Sequence, residues 1–125
     1  MKKAMKEHYR FVKLLSDKEI DAYFSGRPVE RFVLVAMLNI GYVKIELSLW
    51  PGEEPGNVCL DLMVKDRPDS RGWICYDCFS LENKLFKHGM ESAMFRILDQ
   101  KVREYGLSYT ECNFEMLRGT SPKKD

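Results

Sequence analysis

The four cysteines of this 125-residue sequence are its most versatile chemical groups, and two of them lie in the stretch 72–78, GWICYDC. Cys75 and Cys78 have the Cys-x-x-Cys spacing of zinc sites and of thiol–disulfide oxidoreductases. A zinc site requires a tight turn between the two thiolates, and Tyr76 and Asp77 lack the usual turn glycine. The full spacing, C-x15-C-x2-C-x33-C, also contains one close pair where structural zinc sites favour two.

A redox role would use the same two cysteines in a different setting. Oxidoreductases place the motif at a helix N-terminus, where the helix dipole lowers the thiol pKa. Cys78 precedes a strong helical pattern, but no proline lies between the two cysteines. We favour a third interpretation, in which Cys75 or Cys78, with Cys112, are small buried hydrophobic residues. No cofactor is then expected, and Cys75 with Cys78 remain the alternative zinc or thiol-redox site.

No other catalytic arrangement is recognisable in the sequence. Its two histidines, His8 and His88, are far apart, and neither has a serine or cysteine at a recognised spacing. The glycine-rich phosphate loops, the H-E-x-x-H metal helix and the nucleophile elbow are all missing. The sequence therefore predicts that the protein is not an enzyme.

The charge balance limits the classes of partner. The net charge is +1, whereas a nucleic-acid-binding protein usually carries a clear basic excess. Weak binding of nucleic acid through the basic segment 1–13, with its interleaved Tyr9 and Phe11, is a second alternative. No apolar run approaches the roughly 20 residues of a membrane span, and no signal-peptide pattern follows the basic N-terminus. These features predict a cytoplasmic protein that does not bind membranes.

Alternating apolar residues predict an antiparallel sheet. Residues 42–50 (YVKIELSLW) and 58–66 (VCLDLMVKD) place aliphatic side chains on one face and polar ones on the other. Together with GWICYDCF they form a three-stranded meander over residues 42–79. Residues 9–15 predict another strand. Residues 32–38 are apolar in both parities, which favours a central strand covered on both faces, although a buried helix has the same pattern.

Two helices and a last strand complete the predicted fold. Ser16 and Glu19 have the spacing of a capping box, which predicts a short helix after them. A long helix is predicted over residues 80–106 with Ser80 as its N-cap, and Gly89 inside it marks either a bend or a later start at the next residue.

Residues 107–117 alternate as a strand that returns to the sheet, and residues 118–125 predict a disordered tail. We therefore expect one domain over residues 1–125. Its class is α+β: an antiparallel sheet of about five strands with one short and one long helix packed on one face.

The outer face and ends of the meander form the predicted binding surface. Residues 44–82 hold 4 basic and 8 acidic residues, a net charge of −4. Aromatic side chains framed by acids are typical anchors of protein interfaces, so we predict a partner protein with a basic surface. Trp50 could instead cover the end of the sheet beneath the Pro-Gly turn. The chain itself is expected to be a monomer or a small homo-oligomer. The predicted partner-binding residues are Tyr42, Glu46, Trp50, Glu53, Glu54, Asp61, Asp69 and Trp73.

The stretch GWICYDCF and the later MFRILDQKVREYGLSYTECNFEML resemble small uncharacterised accessory proteins of bacterial plasmids, conjugative elements and phages. The resemblance covers the C-terminal half at most and transfers no functional residue. This class includes anti-CRISPR inhibitors, so the resemblance implies a non-enzymatic accessory role, such as inhibition of a partner protein.

Overall fold

A computed structural model describes residues 9–54, 56–65, 67–68 and 71–112. Its elements are β1 (Tyr9–Lys13), α1 (Asp17–Phe24), β2 (Val33–Ile40), β3 (Val43–Leu49), β4 (Asn57–Val64), β5 (Ile74–Glu82), a short 3₁₀ helix (Asn83–Phe86) and α2 (Met90–Tyr105). The strands lie side by side in chain order, β1-β2-β3-β4-β5, and every neighbouring pair is antiparallel. The predicted α+β class is confirmed.

The inner face of the sheet is apolar, and both helices pack on it. Ile20 and Phe24 of α1 and Met94 and Leu98 of α2 belong to the same buried cluster as the inner side chains of the strands. In β3 and β4 the predicted alternation is confirmed by eight buried residues, namely Val43, Ile45, Leu47, Leu49, Val58, Leu60, Leu62 and Val64. Burial of such a continuous apolar surface is the main force that holds the helices against the sheet.

β2 is a strand, as predicted, but it is not fully covered on both faces. Ala36, Leu38 and Ile40 are buried, whereas Met37 and Asn39 on the other parity are only partly buried. Val35, at the irregularity in the β2–β3 pairing, is also buried. The prediction that this strand is covered on both faces is therefore wrong. Apolar residues occur at both odd and even positions, but one side of the strand faces outward.

The predicted capping box starts α1. The Ser16 hydroxyl accepts a hydrogen bond from the Glu19 backbone N–H at 3.1 Å, and the Glu19 carboxylate accepts from the Ser16 N–H at 3.0 Å. This pair satisfies two N–H groups that have no partner within the helix. The hydrogen bond from the Ser16 backbone also lowers the pKa of Glu19 below its ordinary value.

The prediction of a helix start at Ser80 is wrong. β5 continues to Glu82, because Phe79 and Leu81 turn inward and lie opposite Leu60 and Val58 of β4. The long helix begins only at Met90, after Gly89 with a φ of 136°. The later start was thus the correct alternative, and the cross-strand pairing explains why a serine with good capping chemistry remains in a strand.

The predicted last strand is also wrong over residues 107–112, which form no strand. This segment packs instead against the β2–β3 turn: Leu107 is buried, and the Tyr109 carbonyl accepts a hydrogen bond from the Tyr42 N–H at 3.0 Å. Residues 113–117 and the predicted disordered tail, 118–125, lie outside the described residues. The described residues alone form the five strands of the sheet.

Candidate binding surface

The outer face of the sheet carries polar and thiol side chains in rows that cross the strands. Glu46 of β3 lies opposite Asp61 of β4, and Asp61 lies opposite Cys78 of β5. Residues directly opposite in antiparallel strands project to the same face, so these side chains are neighbours. The next row, toward the end of the sheet that holds Trp50, consists of Ser48, Cys59 and Ser80.

Two thiols and one carboxylate meet at the centre of this face. The Sγ atoms of Cys59 and Cys78 are 3.3 Å apart, and the Cys59 thiol donates to Asp61 Oδ1 at 3.8 Å. One ligand atom from each of the three residues lies within 4.8 Å of the others, and no other such group of three histidine, cysteine or acidic residues occurs in the described parts of the chain. The predictions from the sequence placed Asp61 among the partner-binding residues and Cys78 in the alternative metal or redox site, and they gave Cys59 no role.

The cysteine predictions need correction. Cys75 and Cys78 are both exposed, so their assignment as buried hydrophobic residues is wrong, while Cys112 is partly buried. Both belong to β5, not to a helix N-terminus, so the setting expected for an oxidoreductase motif is not formed at this pair. Cys75 lies opposite Met63 beyond a bulge in the β4–β5 pairing, whereas Cys78 contacts Cys59.

The environment of the two central thiols keeps them protonated. Burial raises the pKa of Cys59 and of Cys78 above the usual value, and the neighbouring Asp61 carboxylate raises both further. At neutral pH both groups are therefore weak nucleophiles, unlike the acidic thiol of a dithiol oxidoreductase.

An exposed aromatic pair lies at one end of the outer face. Trp50 follows β3 and is 46% exposed, and Phe32 precedes β2 and is 45% exposed. Their ring centroids are 4.8 Å apart with an interplanar angle of 59°. The Trp50 indole N–H also donates to the Ser48 hydroxyl at 3.1 Å. The Pro-Gly turn therefore leaves Trp50 accessible, and two contacts fix the orientation of its ring.

A groove of about 250 Å³ opens beside Trp50. Acidic groups border it at Glu53 and Glu54, and Glu53 also accepts a hydrogen bond from the Ser80 hydroxyl. Apolar and aromatic lining comes mainly from Tyr23, Val29, Leu49 and Trp50, and the one cation among the described lining residues, Arg27, lies over the Tyr23 ring. This end of the molecule thus combines an apolar surface with carboxylates, as an interface with a basic protein requires.

The other predicted aromatic residues lie at the opposite end of β3. Trp73 is covered by two cations, with Lys44 Nζ 4.7 Å and Lys65 Nζ 5.3 Å from its ring centroid. Tyr42 is partly buried in the turn before β3. The predicted residues therefore do not form one surface: Trp50, with Glu53, lies at one end of the outer face, and Tyr42 with Trp73 lies at the other.

The carboxylates of the outer face are largely engaged within the molecule. Glu46 pairs with Lys44 at 3.1 Å, and the two side chains are only 17% and 13% exposed. Asp61 contacts the thiols, Glu54 is exposed in the turn, and Asp69 lies outside the described residues. Among the described residues of the acidic block, the carboxylates that face solvent therefore lie mainly near Trp50.

A wider groove of about 780 Å³ lies between α1 and the start of α2. It contains the ion pair of Lys13 with Asp17, and Lys87 and His88 border it. Charges of both signs line this groove, and none of its residues belongs to a group of three metal ligands within the described residues. The thiols and the exposed aromatic pair are therefore the more informative features.

No protein-family model, no curated protein and no solved structure matches this chain. The resemblance to accessory proteins of mobile elements thus stays a prediction. Within the described residues, neither helix has the length and apolar character that crossing a lipid bilayer requires.

Proposed function

We propose that this chain is a protein-binding module that anchors its partner through Phe32 and Trp50. The exposed aromatic pair, whose rings are in tilted contact, is the observation that carries the proposal. Aromatic residues are enriched among the residues that carry most of the binding energy of protein interfaces. Single exposed hydrophobic residues are normal on a protein surface, but two aromatic rings in contact form a continuous apolar patch. Because the hydrogen bond to Ser48 and the contact between the rings already fix Trp50, little side-chain entropy is lost on binding.

The exposed aromatic pair can supply a substantial part of the binding free energy of a complex. An aromatic side chain covers about 150–250 Å², so the exposed parts of the two rings offer roughly 200 Å² of apolar area. At about 25 cal/mol per Å², burial of this area contributes roughly 5 kcal/mol. Part of that gain offsets the cost of association, so surrounding contacts from the groove are also needed.

The partner surface that fits this anchor is an apolar pocket bordered by lysine or arginine. Glu54 is exposed beside the groove, and Glu53 lies on its rim, so both carboxylates can attract such a surface. We place this interaction in the cytoplasm, the compartment that the sequence predicts, and propose inhibition of the partner as its effect, as the resemblance to mobile-element proteins implies. Binding without catalysis is the role proposed.

Binding of nucleic acid through the N-terminal segment has less support. Lys13, one of its cations, forms an ion pair with Asp17. The other lysines of that segment lie outside the described residues. The net charge of +1 does not favour a polyanionic ligand.

Site-specific photo-crosslinking tests the proposed surface. A benzophenone amino acid replaces Phe32 in one variant and Leu14 or Leu85 in the control variants, which are exposed to 45%, 46% and 43% respectively. We expect one dominant adduct in host cells from position 32 and not from the two controls. Equal labelling from all three positions would contradict the proposal, because it would show non-selective contact with exposed apolar residues.

A further inference from the structure

We infer that Cys59, Asp61 and Cys78 form a binding site for a zinc-class divalent cation on the outer face of the sheet. The site differs from the Cys75–Cys78 arrangement that the sequence suggests. It rests on the register of β4 and β5, which brings the three side chains together from two adjacent strands.

The separations of the donor atoms suit tetrahedral coordination. With Zn–S and Zn–O bonds of about 2.3 and 2.0 Å, tetrahedral angles require donors about 3.8 Å apart for S···S and about 3.5 Å for S···O. The corresponding separations are 3.3 Å between the Cys59 and Cys78 sulfurs and 3.8 Å between Cys59 Sγ and Asp61 Oδ1. Shifts of about half an ångström, within the range of side-chain rotation, would complete the geometry.

The backbone explains why these donors converge. Cys59 and Asp61 are two residues apart in β4 and project to the same face. Cys78 lies directly opposite Asp61, so the three side chains form a triangle on two hydrogen-bonded strands. Regular strands hold metal ligands more firmly than loops do, which lowers the cost of assembling the site.

A shared cation fits this triangle better than a disulfide does. Cys59 lies opposite Ser80 and therefore only diagonal to Cys78. Diagonal cross-strand neighbours have Cα atoms about 7–8 Å apart, whereas a disulfide requires a separation below about 7 Å. A cation between the two sulfurs bridges this distance without movement of the backbone.

The donor set selects the class of cation. Two thiolates and one carboxylate favour zinc and similar transition metals over calcium or magnesium, which prefer oxygen ligands. Three protein ligands leave a fourth position, and the exposure of Cys78 opens that position to solvent or to an external ligand. The thiols release their protons when the cation binds.

Ser48 supports the site from the neighbouring strand. It is buried directly opposite Cys59, and its hydroxyl accepts a hydrogen bond from the Trp50 indole N–H, which holds the Ser48 side chain in place beside Cys59. Residues that surround the ligands orient them, and loss of this support typically lowers metal affinity about 10–100-fold. Ser48→Ala should therefore weaken binding measurably without removing a ligand.

Cobalt titration of the reduced full chain tests the inference. Co²⁺ reports thiolate coordination through a sulfur-to-metal charge-transfer band, and competition with Zn²⁺ gives the zinc affinity. We expect one equivalent to bind to the wild type and to Cys75→Ser, which removes an exposed cysteine outside the triangle. Cys59→Ser, Cys78→Ser and Asp61→Asn should each lose at least about 10-fold in affinity.

Thermal unfolding of each metal-free variant, followed by circular dichroism, shows whether the fold is retained. Asp61→Asn is nearly isosteric and lies on the outer face, so it keeps the test decisive if a cysteine variant unfolds. No stoichiometric binding by the wild type would overturn the inference. An unchanged affinity in Asp61→Asn, or a loss in Cys75→Ser as large as that in Cys78→Ser, would also overturn it.

Discussion

Gly41 in the β2–β3 turn is the position where a single methyl group should disturb the packing of the C-terminal segment. Its φ is +57°, in the left-handed region that favours glycine. A Cβ atom added here would lie 1.8 Å from the Tyr109 carbonyl oxygen, far inside van der Waals contact. That carbonyl accepts the hydrogen bond of the adjacent Tyr42 N–H, so Gly41→Ala forces the two backbones apart.

The expected cost of Gly41→Ala has two parts. Alanine in a left-handed conformation costs about 1–2 kcal/mol. Displacement of Tyr109 breaks its hydrogen bond with Tyr42, which contributes about 0.5–1.5 kcal/mol, and it weakens the packing of the buried Leu107. The total is about 2–4 kcal/mol, which lowers the Tm of a domain of this size by roughly 8–16 °C.

Gly52→Ala is the matched control for this substitution. Gly52 also has a positive φ, +86°, but a Cβ there would meet no atom within 4 Å. In urea unfolding, Gly52→Ala should therefore lower the free energy of unfolding only by the backbone strain, about 1–2 kcal/mol. Amide exchange at Tyr42 should accelerate in Gly41→Ala alone. If both substitutions lower the stability equally and amide exchange at Tyr42 is unchanged, the close approach of Gly41 to the Tyr109 carbonyl is refuted.

Two further predictions concern single polar contacts. The Tyr105 hydroxyl donates to the buried Asp77 carboxylate at 2.6 Å, so Tyr105→Phe should cost about 1–3 kcal/mol in urea unfolding. This hydrogen bond also raises the pKa of Tyr105, so wild-type stability should fall as the pH rises above about 10, and the variant should fall less steeply. Ser16→Ala removes the N-cap of α1 and should cost about 1 kcal/mol. Because the pKa of Glu19 is lowered in the fold, wild-type stability should decline as the pH falls below about 4, and this decline should shrink in the variant.

Local patterns predicted the elements whose signals lie within a few neighbouring residues. The capping box of Ser16 and Glu19 fixed the start of α1, and strict alternation identified β3 and β4 with their inner and outer faces. Ser80 shows the limit of such signals, because its capping chemistry suggested a helix while pairing with β4 keeps it in a strand. The structure at Ser80 is decided by the register between β4 and β5, which a short stretch of sequence does not contain.

The candidate site depended on that same register. Alternation placed Cys59 and Asp61 on the outer face, but only the β4–β5 pairing, with its irregularity after Leu62, brings Cys78 opposite Asp61. Phe32 was missed for a similar reason. It precedes β2, and its neighbour Val33 pairs with Leu49, which places Phe32 beside Trp50.

The affinity of the purified partner, once identified by crosslinking at position 32, tests the proposed function most directly. Calorimetry compares the wild type with Trp50→Ala and with Leu85→Ala, which removes an exposed apolar residue that belongs neither to the aromatic pair nor to the lining of the groove. A hot-spot residue contributes at least about 2 kcal/mol, so Trp50→Ala should raise Kd about 30-fold or more, and Leu85→Ala less than about threefold. The same Kd for Trp50→Ala and the wild type would contradict the account.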